Sequence, residues 1–145
     1  MIFQHTLDLV LSGEKTQTRR VISSSEQALR GRYNQITTVV TSGRDKWRVE
    51  STYAVQPARG CPQVARIKIT SIRSQIVKYI TTADALAEGF ESRNDFLAVW
   101  RRIHGNNSLD YRVWIVGFEI VAFVAEKQNH IIRQSLTPAA YANYQ

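Results

Sequence analysis

A chain of 145 residues is the size of one domain, and a hydrophobic share of 43% is enough for one core. No run approaches the ~18 apolar residues of a membrane-spanning helix, and no basic stretch followed by an apolar one marks a secretory signal. The single cysteine, Cys61, excludes an internal disulfide and any multi-cysteine metal site, so the expectation is a cytoplasmic protein with no membrane association. The formal charge is +7, and all of the excess lies in residues 1–75, where twelve Lys and Arg stand against five Asp and Glu. Residues 76–145 carry seven of each. A basic half of this kind suits a polyanionic partner, RNA, DNA or a nucleotide-like ligand, or else a solvated surface that keeps the protein soluble.

In chain order, residues 3–12 predict a short helix, with Leu7, Val10 and Leu11 on one stripe and Gly13 as its stop. The segment Gly13-Glu14-Lys15-Thr16-Gln17-Thr18-Arg19-Arg20 then leaves the helix with no apolar residue. Residues 22–34 predict a loop, with at most one helical turn around Glu26–Leu29. Ile36–Thr41 is β-branched and predicts a strand, and Ser42–Asp45 a turn. Lys46–Gln56 alternates, with Trp47, Val49, Tyr53 and Val55 on one face, and predicts a single half-buried strand. Pro57, Gly60 and Pro62 mark a sharp connection. Val64–Ile72 predicts another strand, and Ile76–Ile80 a continuation of the sheet.

Thr81 or Thr82 caps a short helix over Ala83–Glu88 that Gly89 ends. Ser92 and Asp95 resemble a capping box for a helix running to His104, with Phe96, Val99, Trp100 and Ile103 as its apolar stripe. Tyr111–Val124 is almost continuously apolar and predicts a central strand buried on both faces. The residues from Glu126 onward are polar and predict a loosely attached tail, 126–145, after a domain spanning 1–125. Irregular alternation of strands and helices argues against a doubly wound parallel sheet. It predicts an α+β chain, a small and mostly antiparallel barrel with short helices around it.

The chemistry concentrates in the segment without apolar residues. Thr18 needs a neighbouring base to act as a nucleophile, and Lys15 is the candidate where burial or the nearby arginines favour its neutral form. Three residues apart on a regular strand they would face opposite ways, so both reach one cleft only if the backbone bends. Arg19 and Arg20 suit a phosphate, since a guanidinium donates two parallel hydrogen bonds. Arg59, at a tight turn, is a further candidate for the same cleft. Trp47 and Tyr53 alternate with cations in a pattern that stacks bases, but their face favours the core. His5, His104 and His130 have no ligand spacing and no Gly-rich phosphate loop is present, so neither a metal nor any other cofactor is expected, nor an NTPase.

Several motifs in order resemble the ASCH superfamily: Gly13-x-Lys15-Thr16-x-Thr18-x-Arg20 after a helix, then Tyr53-x-Val55-Gln56-Pro57-x-Arg59-Gly60, Arg66–Arg73, Ala87-Glu88-Gly89-Phe90, and Tyr111-x-Val113-Trp114-Ile115-Val116-x-Phe118. The resemblance spans roughly residues 2–121 and implies a PUA-like β-barrel with a cleft. It implies RNA or a modified nucleoside as ligand, with an amidohydrolase reaction on acylated cytidine as one activity. A non-catalytic RNA- or DNA-binding module and a ribonuclease are the alternatives. Carried over by motif, the catalytic trio is Lys15, Thr18 and Glu88, with Glu91 a second carboxylate in the same stretch. Arg19, Arg20, Arg59 and Gln56 become candidate ligand contacts. An ion pair between Lys15 and Glu88 that only ties helix to sheet is the structural alternative.

Overall fold

The structure, a computed structural model, describes residues 1–124. The tail expected over 126–145 lies outside the described residues. Twelve elements follow in order: α1 (Leu7–Ser12), β1 (Gln17–Val21), β2 (Glu26–Arg30), β3 (Ile36–Thr41), β4 (Arg44–Arg48), β5 (Thr52–Val55), β6 (Ala65–Ile76), a 3₁₀ turn (Val77–Tyr79), α2 (Thr82–Ala87), α3 (Arg93–His104), a second 3₁₀ turn (Ser108–Asp110) and β7 (Arg112–Phe123). The chain is α+β, as the patterning predicts.

The expected closed barrel is not what the described residues form. A four-stranded antiparallel sheet runs in the order β1-β7-β6-β5, and a separate three-stranded sheet in the order β2-β3-β4. The two are joined, not closed. Lys46–Gln56 is two strands in different sheets, because the chain turns at Glu50, which takes a φ of 72°. At that corner Glu50 N–H donates to the Ile69 carbonyl and Ile69 N–H to the Ser51 carbonyl. The alternation of Trp47, Val49, Tyr53 and Val55 is real, but it runs through a corner.

β7 explains its own apolar run. It lies inside the four-stranded sheet, so both of its edges are paired, and packing layers cover both of its faces over Val113–Val116. Val113 and Ile115 pack with Ala85, Phe96, Leu97 and Trp100 of α2 and α3. Trp114 and Val116 pack on the other side with Ile36, Val39 and Trp47 of the small sheet. The expected burial stops halfway, since Glu119 and Val121–Phe123 are exposed.

Three further corrections are local. The segment expected as a loop, 22–34, contains β2: its residues Glu-Gln-Ala-Leu-Arg lack strand propensity, and pairing with β3 overrides that. Ile76–Ile80 does not extend the sheet but turns through the 3₁₀ segment. α3 starts where expected, with the Ser92 hydroxyl accepting from Asp95 N–H at 3.0 Å. Its core stripe, however, is Phe96, Leu97 and Trp100, while Ile103 remains 53% exposed.

Candidate functional site

The site begins where α1 stops. Gly13 takes a left-handed φ of 82°, and its N–H closes the helix on the Val10 carbonyl. Lys15 N–H donates back to the Leu9 carbonyl at 2.9 Å, which bends the chain before the strand starts. The next peptide is a junction: Thr16 N–H donates to the Ala87 carbonyl at the end of α2, and its own carbonyl accepts from Phe118 N–H of β7. The backbone of Lys15 is thereby held beside Glu88, 73 residues away in sequence.

Glu88 caps the C-terminus of α2, and Gly89 follows with a φ of 93°. That φ favours glycine, and a Cβ at Gly89 would also stand 2.7 Å from Leu9 Cδ1, which would have to shift. The segment Lys15–Arg20, expected only to leave the helix, becomes strand β1 from Gln17 onward. β1 is the last strand of its sheet, and a cavity of about 980 Å³ lies against it, walled also by the N-terminal segment, Glu88–Glu91 and α3. That is at the upper end of the ~300–1,000 Å³ typical of small-molecule sites.

Lys15, Thr18 and Glu88 all line this cavity, and they are only 5%, 5% and 3% exposed. The parity conflict between Lys15 and Thr18 disappears because Lys15 sits in the bend, ahead of the regular strand. Lys15 Nζ donates to Glu88 Oε2 at 2.9 Å and to the Glu88 carbonyl at 3.1 Å. Thr18 makes no hydrogen bond through its side chain among the described residues, so its hydroxyl is open to a ligand.

The two arginines part company. Arg19 Nη1 donates to Glu88 Oε1 at 2.9 Å and Nη2 to Asp84 Oδ2 at 3.1 Å, and the guanidinium lies 5.7 Å over the Phe96 ring. Its charge is answered by two carboxylates. Arg20 donates from Nη2 to the Ile2 carbonyl at 2.8 Å and lies 5.6 Å over Phe3, with no acidic partner among the described residues. Burial lowers its pKa from the ordinary value, while the Glu88 charge acts the other way. Burial also acts to raise the Asp84 carboxyl, but the Gln17 amide and the charges of Arg19 and Arg73 outweigh it and hold Asp84 below its usual range.

Arg59 and Gln56 are not brought to this cavity. Arg59 is exposed on its turn, and Gln56 bridges Ile2 by backbone and donates its amide to the Cys61 carbonyl at 2.9 Å. Glu91 does line the cavity. Several residues of the cavity wall and of the charge network behind it carried no local signal in the sequence. Asp84 looked like an ordinary first-turn acid of α2, and its pairing with Arg19 spans 65 residues. Phe96, Trp100 and His104 form a continuous aromatic ladder on α3, with ring centroids 5.9 and 4.0 Å apart. Only Phe96 and Trp100 were legible in advance, as core. His5 and His104 both line the cavity, and burial lowers the pKa of each. No group of three or more His, Cys, Asp or Glu among the described residues could hold a metal ion, and no described helix is long and apolar enough to cross a membrane.

No family model matches the sequence, and no curated protein matches it. Solved structures do. An ASCH domain from Lactobacillus crispatus JV V101 superposes with a TM-score of 0.54 at 22% identity, covering 79% of this chain and 69% of that one. Protein EF3133 from Enterococcus faecalis V583, of the DUF984 family, gives a TM-score of 0.53 at 17% identity, covering 82% and 71%. The described residues therefore have the ASCH domain fold.

Proposed function

We propose that the cavity binds a modified nucleoside, free or within RNA, and hydrolyses an acyl amide on its base. One observation carries this reading: the unpartnered Thr18 hydroxyl shares a cavity with the buried Lys15–Glu88 pair. The ASCH fold adds support, since the family resemblance implies the same ligand class. In the reaction, Thr18 Oγ1 attacks the acyl carbon and the acyl C–N bond breaks. Lys15 passes the proton it shares with Glu88 to the carboxylate and accepts the Thr18 proton in its place. The leaving amine takes a proton back from the pair. Water then hydrolyses the acyl-threonine ester, releasing the carboxylic acid and restoring Thr18.

One observation favours a second reading, binding without turnover. Both Glu88 oxygens are already committed, Oε2 to Lys15 and Oε1 to Arg19. The relay above needs a Glu88 oxygen free to receive a proton, and both already accept hydrogen bonds.

Incubating the protein with acetylcytidine and following cytidine and acetate by chromatography separates the two. Hydrolysis predicts release that Thr18→Val abolishes, a change that removes the hydroxyl and little volume. Wild-type turnover in Thr18→Val overturns the nucleophile. Binding with no release by the wild-type protein establishes the second reading.

A further inference from the structure

Arg20 is a half-buried cation that the proposed chemistry does not use. Its Nε is fully buried with no hydrogen-bond partner, and it has no ion pair among the described residues. Of its five N–H donors, the described structure uses one, to the neutral Ile2 carbonyl. Arg19 also has an unpartnered Nε, but Glu88 and Asp84 answer its charge. Leaving a charge unpaired in low dielectric is costly, and an oxyanion from a ligand removes that cost.

Arg20 also stands in the right place. It lines the same cavity as Thr18 and lies two residues along β1, so both side chains leave the same face. Two residues of strand advance ~7 Å, and the arginine side chain extends that reach, a separation comparable with the span of one nucleotide. The guanidinium lies 5.6 Å from the Phe3 ring centroid, and with one N–H given to Ile2 it keeps donors for two oxygens of one group.

We infer that Arg20 is an anion subsite for a phosphate of the ligand, so that the cavity prefers a nucleotide unit over a bare nucleoside. The inference rests on the nucleoside reading above for the base end of the ligand, but not on any turnover. The phosphate belongs either to a free nucleoside monophosphate or to a nucleic-acid strand; the chemistry at Arg20 is shared.

Calorimetric titration of the full chain with cytidine, cytidine 5′-monophosphate and a short oligocytidylate tests it, with Arg20→Gln, Arg20→Lys and the exposed-site control Arg59→Gln. The expected result is at least tenfold tighter binding of the monophosphate than of cytidine. That preference vanishes in Arg20→Gln, weakens in Arg20→Lys, which keeps the charge but loses the fork, and persists in Arg59→Gln. An oligonucleotide that binds tighter than the monophosphate assigns the phosphate to a strand; equal or weaker binding assigns it to the free nucleotide. Equal affinity for cytidine and its monophosphate, no binding of either, or an equal loss in Arg59→Gln overturns the subsite. Acetate release from acetylcytidine is read separately, so absent turnover with Arg20-dependent monophosphate binding refutes the hydrolase reading alone.

Discussion

Replacing Glu88 with Gln keeps the shape of the side chain and removes one negative charge. Two buried cations lose their shared partner, Lys15 at 2.9 Å and Arg19 at 2.9 Å. Breaking a buried pair by removing one member costs about 3–5 kcal/mol, because the stranded charge stays in low dielectric. Two features reduce the loss here: Arg19 keeps Asp84 at 3.1 Å, and Lys15 keeps the Glu88 carbonyl at 3.1 Å. The lower end of that range is expected, about 3 kcal/mol in urea unfolding with an unchanged m-value. For a domain of this size the midpoint temperature should fall by roughly 10 °C. Lys15→Met makes the complementary change. It leaves Glu88 with Arg19 and Arg19 with Asp84, so no charge is stranded, and the cost should be about 1 kcal/mol or less. The asymmetry between the two variants is the signature of a carboxylate shared by two cations. A Glu88→Gln protein within about 1 kcal/mol of wild type, or a Lys15→Met protein that is the less stable of the two, would refute the reasoning.

Two more predictions concern the supports of the site. Burial acts to raise the Glu26 carboxyl, but the Lys46 hydrogen bond and charge, Ser23 N–H and Trp114 Nε1–H outweigh it and hold Glu26 below its ordinary value. A depressed carboxyl stabilises the fold above its unfolded pKa, and that contribution disappears as the pH falls through the lower folded pKa. Glu26→Gln should therefore cost about 1–3 kcal/mol at pH 7, with the gap to wild type narrowing in acid unfolding curves; a gap that widens toward low pH contradicts the assignment. Gly89→Ala should cost about 1–3 kcal/mol from its positive φ together with the contact to Leu9. A Leu9→Ala background should restore only the part due to the contact, and full restoration would show that the backbone is unstrained.

What was legible in the sequence follows from how local each signal is. Both helix starts, at Thr81 and Ser92, were readable because a capping hydroxyl and the N–H that donates to it lie three residues apart. β7 was readable because both of its faces are covered and its composition is nearly uniform over that stretch. β1 and β2 were not. Gln17-Thr18-Arg19-Arg20 has polar side chains on both faces, since Arg19 with its carboxylate partners and Thr18 with Arg20 all reach the cavity at this sheet edge, so no period-2 pattern survives. β2 exists through its pairing with β3, which no local window contains. Lys15, Thr18 and Glu88 were found through a motif whose order along the chain could be compared. Asp84, which completes the charge network, was missed because nothing in its neighbourhood points to a partner 65 residues earlier. Arg59 and Gln56 were placed near the cleft by belonging to a motif, and neither lines the cavity.

Among the described residues the sheet terminates at the strand that presents Thr18 and Arg20, so one rim of that strand is stitched into no ladder there. Rims of this kind breathe more readily than the strands behind them. An occupant clasped between Thr18 and Arg20 would act as a removable seam there. Hydrogen–deuterium exchange at residues 17–21 should slow when the cavity fills, while the interior strand beside it, already protected, changes little.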